Sequence, residues 1–379
     1  MKFFSLQLFC PSMWKGYGLL WKFLAFTGIS IIEENKTTRG SYRELMLLLP
    51  GLLFLQQIYF IYFYTRNIIQ GGAAIEFDVP TIGISIVSVG LWFNVNMKKT
   101  QVRNLVLQFH RIELLKCRKK RSLNCGVNSC LAFGVFIILL VIIGHFSISP
   151  ELREGDEVFS FLSTFQNKGL EFAVKFAGSV FSLFALFLMP FIWVVMCGTV
   201  YYKCSQMLED FCQDISKWHL KREELVEHLD KYRLLRQLTY NVSNSLSSTA
   251  FLMLCWQILN MYVSLARFFS SRHVLTNTIW FNVPSLTAIP CSVVGLAMSA
   301  SRVQSKQEEV RNALQNVRNN LVSKTKIGWK TLAVVDSMLK TFFPAMSAWG
   351  IVELRKELIL SVFGSLFTYG LLILNIKAN

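Results

Sequence analysis

Seven stretches of the chain run apolar with few or no ionised side chains: Leu45 to Tyr64, Val79 to Met97, Cys130 to Ile148, about Phe176 to Tyr201, Ala250 to Phe268, Ile279 to Met298 and Leu358 to Ile376. At 1.5 Å rise, nineteen such residues reach about 28 Å, close to the ~30 Å hydrocarbon core of a bilayer. The pattern predicts an all-α membrane protein of seven transmembrane helices. Pro190, Pro284 and Pro290 fall inside predicted spans and predict kinks, because each removes a backbone donor.

The long connections also carry helical patterning. Leu208, Phe211, Ile215 and Trp218 recur at helical spacing, as do Leu225, Leu229 and Tyr232, and then Val310, Leu314, Val317 and Leu321. These stripes predict structured helical connections that bury themselves against each other or against another subunit. Residues 1–43 hold an apolar run from Trp14 to Ile32, broken by Lys15, Gly16, Gly18 and Lys22. Lys15 and Lys22 share a helical face, which favours a helix lying on the membrane over an extra span. The organisation is thus an N-terminal segment, 1–43, and a seven-transmembrane domain, 44–379.

The last span has a polar stripe. Ser361, Ser365, Thr368 and Asn375 recur with Leu372 at spacings of three or four, while Gly364 and Gly370 leave room for a close neighbour. Intramembrane polar groups face protein or a water-filled path; a helix-packing seam, with hydroxyls bonded to the preceding turn, gives the same spacing.

Composition agrees with a polytopic membrane protein: 53% hydrophobic, 14% aromatic and 16% charged residues, with a mean hydropathy of +0.42. The formal net charge of +16 brings no zinc-finger spacing or compact basic domain, so no nucleic-acid partner is expected. The 39 Lys and Arg instead concentrate in residues 1–43, 98–129, 202–249 and 299–357; Arg66, Arg153, Lys168, Arg272, Lys377 and, at the edge, Arg267 lie on the other side. This bias predicts a cytoplasmic N-terminus and an extracellular C-terminus. A G-protein-coupled receptor has the opposite polarity, and no DRY or NPxxY motif is present. The acidic connection from Pro150 to Glu171 then lies outside. None of the nine cysteines falls in an extracellular loop, so free thiols are expected. No metal, cofactor or enzymatic activity is expected: the five histidines are scattered, and there is no P-loop, GxSxG or HExxH.

Thr368 and Tyr369, five mostly aliphatic residues from Gly370 to Leu374, then Asn375 and Ile376, resemble the closing signature of insect gustatory receptors, TY, five hydrophobics and QF. Asn375 stands where Gln is usual and Ile376 where Phe is usual. The upstream spacing from Ala348, Trp349 and Gly350 through Leu354 and Gly364 resembles that family too, as does the inverted seven-span layout. The resemblance implies a subunit of a homo- or hetero-tetrameric, ligand-gated, non-selective cation channel. It would sit multi-pass in the plasma membrane of gustatory receptor neurons and detect small-molecule tastants. The last helices of four subunits would surround the pore, with Thr368, Tyr369, Leu372, Asn375 and Ile376 near it. From the residues, a ligand pocket is expected where aromatic and polar side chains mix: Tyr59 and Tyr62; Trp256, Gln257, Asn260 and Tyr262; Trp280 and Asn282. Interfacial aromatic belts produce similar sets. The alternatives are a membrane transporter, whose internal repeat is not seen, and a co-receptor subunit that binds no ligand itself.

Overall fold

The structure, a computed structural model, describes residues 40–70, 75–114, 124–147, 183–216, 222–270, 278–323 and 329–378, with Leu20 and single positions between 169 and 181. Nine helices carry these residues: α1 (Gly40–Ile69), α2 (Ile75–Leu114), α3 (Asn124–Ser147), α4 (Met189–Ser216), α5 (Arg222–Ser270), α6 (Thr278–Leu286), α7 (Ala288–Ser323), α8 (Trp329–Lys340) and α9 (Glu357–Ala378). Six of the described helical segments are long and apolar enough to cross a bilayer. The first predicted span, Leu45 to Tyr64, lies within α1. The interfacial helix and the acidic 150–171 connection fall outside the described residues, apart from Leu20, which is fully buried in the main core, and Gly169.

Several helices are far longer than a membrane is thick. At 1.5 Å per residue the 49 residues of α5 extend about 73 Å and the 36 of α7 about 54 Å, so much of each projects beyond the hydrocarbon. The projecting parts pack together. Leu208, Phe211 and Ile215 of α4, Tyr232 and Leu235 of α5, Val310, Leu314, Val317 and Leu321 of α7, and Val335 and Met338 of α8 are all buried. Val102, Leu105, Val106 and Phe109 of α2 join them, and the same apolar cluster continues through Trp193, Met253 and Leu296 into the membrane-spanning part. Each fully buried side chain of this size contributes about 1.5–3 kcal/mol. The expected stripes therefore form one extended bundle; Trp218 and the side chain of Leu225 lie outside the described residues.

Ion pairs join helices across the bundle. Glu209 of α4 meets Arg302 at 3.5 Å and Lys306 at 3.6 Å, both on α7, and Arg318 of α7 meets Asp336 of α8 at 2.6 Å. Lys306 also bonds Glu309 at 2.8 Å, which holds its pKa above the ordinary lysine value.

The proline positions carry the irregularities. A π-helical turn, Phe184–Leu188, leads into α4 just before Pro190, and the N–H of Met189 reaches back to the Phe184 carbonyl. A turn of this kind absorbs the missing donor in a helix that otherwise continues. Between Pro284 and Pro290 the helix breaks at Thr287, whose N–H and hydroxyl both bond the Val283 carbonyl, at 3.0 and 2.6 Å.

A strap and a hairpin connect α8 to α9. From a bend at Thr341, residues 342–346 run without regular secondary structure into β1 (Ser347–Ala348), which pairs antiparallel with β2 (Val352–Glu353). Trp349 and Gly350 form the turn with φ of 54° and 70°, and the Ile351 N–H returns to the Ala348 carbonyl at 3.0 Å. Positive φ at both central residues is the I′ geometry that matches strand twist. Gly350 adopts it freely, whereas Trp349 is held there against its preference.

Candidate ligand cavity and last helix

One of the sequence-predicted clusters, Trp256, Gln257, Asn260 and Tyr262, sits on α5. Trp256, Gln257 and Asn260 are buried on consecutive turns; Trp256 faces the broken α6–α7 segment and the π turn, and Gln257 faces α7. The Gln257 amide nitrogen donates to Ser292 Oγ of α7 at 2.6 Å; that hydroxyl donates in turn to the Ile289 carbonyl at 2.7 Å. The Asn260 amide donates back to the Trp256 carbonyl at 2.8 Å. The Phe187 ring stands edge-on to Trp256, with centroids 6.2 Å apart.

Beside Trp256 lies a cavity of about 20 Å³, walled by Gly134 and Ile137 of α3, Phe187 and Phe191, Trp256, Pro284 and Ser292; Gln257 and Asn260 do not line it. It has room for about one water. The wall is apolar and aromatic, yet two buried atoms of the cluster have no hydrogen-bond partner: Trp256 Nε1, a donor, and Gln257 Oε1, an acceptor. An unpaired buried polar atom costs about 1–3 kcal/mol, and a ligand that supplies the partner recovers it. The space as it stands admits a water-sized group, with Trp256 as the ring on its wall that keeps an unpaired donor.

The sequence missed Gly134, Phe187, Phe191 and Ser292. A Cβ on Gly134 would lie 2.5 Å from Cε1 of Phe191, so this glycine lets α3 and α4 meet closely at the cavity wall. The signal that locates the site was present in Pro190 and Pro284, since the irregular backbone they require forms the wall. Asn282 is buried on α6, while the side chain of Trp280 lies outside the described residues. The tyrosines of α1 are elsewhere: Tyr59 packs among Phe60 and Phe63 on its own helix, and Tyr62 is 62% exposed. Neither lines this cavity.

Tyr262, expected among the ligand residues, faces the last helix. Its hydroxyl bonds Ser365 Oγ at 3.0 Å and its ring meets Tyr369 edge-on, centroids 4.7 Å apart. Val362, Leu366 and Gly370 are buried on this same side; a Cβ on Gly370 would lie 3.3 Å from Leu265 and 3.4 Å from Phe269. The opposite side of α9 is uncovered among the described residues: Ser361, Thr368, Leu372 and Asn375 are exposed, together with Leu360, Phe367 and Leu371, while Ser365 stands at the edge of the packed side. The Thr368 and Ser365 hydroxyls bond the Gly364 and Val362 carbonyls at 2.9 and 2.8 Å. The side chain of Ile376 lies outside the described residues.

The foot of α9 is tied down through the strap. Side chains of α5 and α7 take carbonyls along the strap: Tyr232 bonds Thr341 and, in the last turn of α8, Met338, Arg236 bonds Phe342, Gln307 bonds Pro344, Ser243 bonds Ala345 and Gln304 bonds Met346. The Trp349 N–H bonds the Ser247 carbonyl at 3.1 Å, and its ring stands edge-on to Phe251. Burial raises the Tyr232 phenol above its ordinary pKa of 10.0. The helices that carry the cavity therefore also hold the strap.

No protein-family model matches the sequence, and no curated protein matches it. Solved structures do. The insect olfactory receptor OR5 from Machilis hrabei superposes with a TM-score of 0.65 at 12% identity, covering 96% of this chain and 98% of the receptor. The same receptor in complex with eugenol gives 0.62 at 11% identity, covering 94% and 97%. Over nearly its whole length, this chain has the all-α membrane fold of an insect olfactory receptor.

Proposed function

We propose that the chain is a chemosensory receptor that acts as one subunit of a tetrameric, ligand-gated cation channel, with a small organic tastant as its ligand. The observation that carries the proposal is the two-sidedness of α9: one face is seated on α5, and the other presents Thr368, Leu372 and Asn375 with none of the described residues over them. Four such faces gathered about an axis form a path lined by a hydroxyl, a Leu and an amide. An amide carbonyl partly replaces the hydration of a passing cation. The solved olfactory receptor of the same fold binds eugenol, a small aromatic molecule, and the aromatic cavity at Trp256 is the place for such a ligand here. The closing-motif resemblance in Thr368 and Tyr369 points to the gustatory branch.

A ligand opens the channel only if it prefers the open state. The cavity is nearly closed in this structure, so a ligand selects a conformation in which Phe187 or Phe191 has moved and α5 or α7 with it. Through Tyr262 and the strap, that movement reaches both ends of the packed face of α9.

The small cavity favours a second reading, a co-receptor that assembles with ligand-binding partners. Whole-cell recording against a panel of bitter compounds, sugars and plant phenols separates the two. Currents from the chain expressed alone establish the receptor; currents found exclusively on co-expression, and insensitive to Trp256→Ala, establish the co-receptor. A plasma-membrane protein giving no current under either condition contradicts both.

A further inference from the structure

A second, roomier cavity lies away from the Trp256 cluster, at the foot of α9. It is an open cleft of about 380 Å³ between Tyr232 of α5, the projecting part of α7 from Ser301 to Leu314, the strap, and Arg355, Lys356 and Glu357. That volume is within the range of small-molecule sites. The last ionised residue before the apolar part of α9 is Glu357, and the uncharged run begins at Leu358. One end of the cavity is therefore at the headgroup level of a bilayer spanned by α9, and the other end reaches along α7 away from it.

Three cations line it. Arg355 bonds Glu353 at 2.5 Å, leaving part of its guanidinium fork to the cavity. Arg311 lies over the Phe342 ring, 5.0 Å from its centroid, a contact that orients the guanidinium without neutralising it. Lys356 makes no ion pair among the described residues. Two carboxylates, Glu308 and Glu357, share the wall. Ser301, Gln304, Ser305 and Thr341 supply hydroxyls and amides. Separated cations with neutral donors between them suit an extended ligand bearing more than one phosphate, because guanidinium and ammonium groups make their strongest hydrogen bonds to such oxygens.

We propose that this cavity binds the phosphorylated headgroup of a membrane lipid. The phosphate next to the glycerol meets Lys356 and Arg355 at the membrane end, and a distal phosphate reaches Arg311. Glu308 limits the affinity. A bound headgroup bridges α7, the strap and α9, and so biases the position of the last helix.

The test uses the full-length protein in nanodiscs of phosphatidylcholine. A short-chain phosphatidylinositol bisphosphate and soluble inositol trisphosphate are titrated separately, and binding is read by native mass spectrometry. The lipid is expected to bind, the double variant Arg311→Gln/Lys356→Gln to weaken it at least tenfold, Glu308→Gln to tighten it several-fold, and Lys99→Gln, a basic change outside the cavity, to leave it unchanged. The Glu308→Gln arm holds even if the double variant does not fold. Absence of lipid binding, equal weakening by Lys99→Gln, or no tightening by Glu308→Gln overturns the site; soluble trisphosphate binding as tightly as the lipid overturns the lipid assignment.

Discussion

Tyr262 and Ser365 are joined by a 3.0 Å hydrogen bond across the contact between α5 and α9, one turn of α5 beyond the buried Trp256 cluster. The bond places the proposed ligand cavity and the proposed pore helix on two faces of the same element. A neutral hydrogen bond of this kind is worth about 0.5–1.5 kcal/mol. We expect Tyr262→Phe and Ser365→Ala each to shift the half-maximal ligand concentration by about two- to tenfold. The double variant should shift it no further than the larger single change, as residues in direct contact are not additive. Concentration–response curves for the four proteins check this.

At the Trp256 cluster, Gln257→Leu and Trp256→Phe separate packing from polarity. Gln257→Leu removes the unpaired Oε1 but also leaves Ser292 without its donor, so stability changes by no more than about 1 kcal/mol in either direction. The response to ligands with a polar end should fall at least tenfold, about 1.4 kcal/mol, in both variants. Thermal unfolding in detergent and concentration–response curves measure the two effects separately.

Gly134 tests the cavity wall. Its missing Cβ is replaced in space by the Phe191 ring, so Gly134→Val forces the ring or the helix to move, at about 1–3 kcal/mol. Pairing it with Phe191→Ala should restore more stability than the two changes added separately. The midpoint of thermal unfolding reports the coupling.

The strap gives a pH prediction. Burial raises the Tyr232 phenol above its value of 10.0 in the unfolded chain, so the neutral form is the one favoured in the fold. Its contribution is complete below pH 10 and is lost as the pH rises through the folded value. Melting temperature should therefore be insensitive to this group near neutrality, whereas Tyr232→Phe lowers stability there by about 1–3 kcal/mol, mainly through the Thr341 carbonyl, since the Met338 carbonyl keeps its bonds from Thr341.

Much of this was legible in the chain. The long apolar runs and the stripes at Leu208 to Ile215 and Val310 to Leu321 have strong periodicity, and burial of one face follows from it directly. Trp256, Gln257 and Asn260 were found because mixed aromatic and amide residues inside a span need an explanation. Tyr262 carries the same composition signal but faces α9, since composition does not say which neighbour a helix face meets. The α8 helix and the Trp349–Gly350 turn were not anticipated. The α8 helix is short and buries mainly Thr331, Val335 and Met338, and a tryptophan at positive φ goes against local preference and is held by the Ser247 bond and the Phe251 ring.

The central claim is that the uncovered face of α9 borders the conducting path. Cysteines placed at Thr368, Leu372 and Asn375, and at Val362 and Leu366 on the packed face, test it in a background with the exposed native Cys130 and Cys291 changed to serine. A charged thiol reagent applied from outside during ligand-evoked current should reduce the current at Leu372 and Asn375 and leave Val362 and Leu366 unaffected. Unchanged current at both Leu372 and Asn375, with the labelled protein present at the surface, would contradict the account.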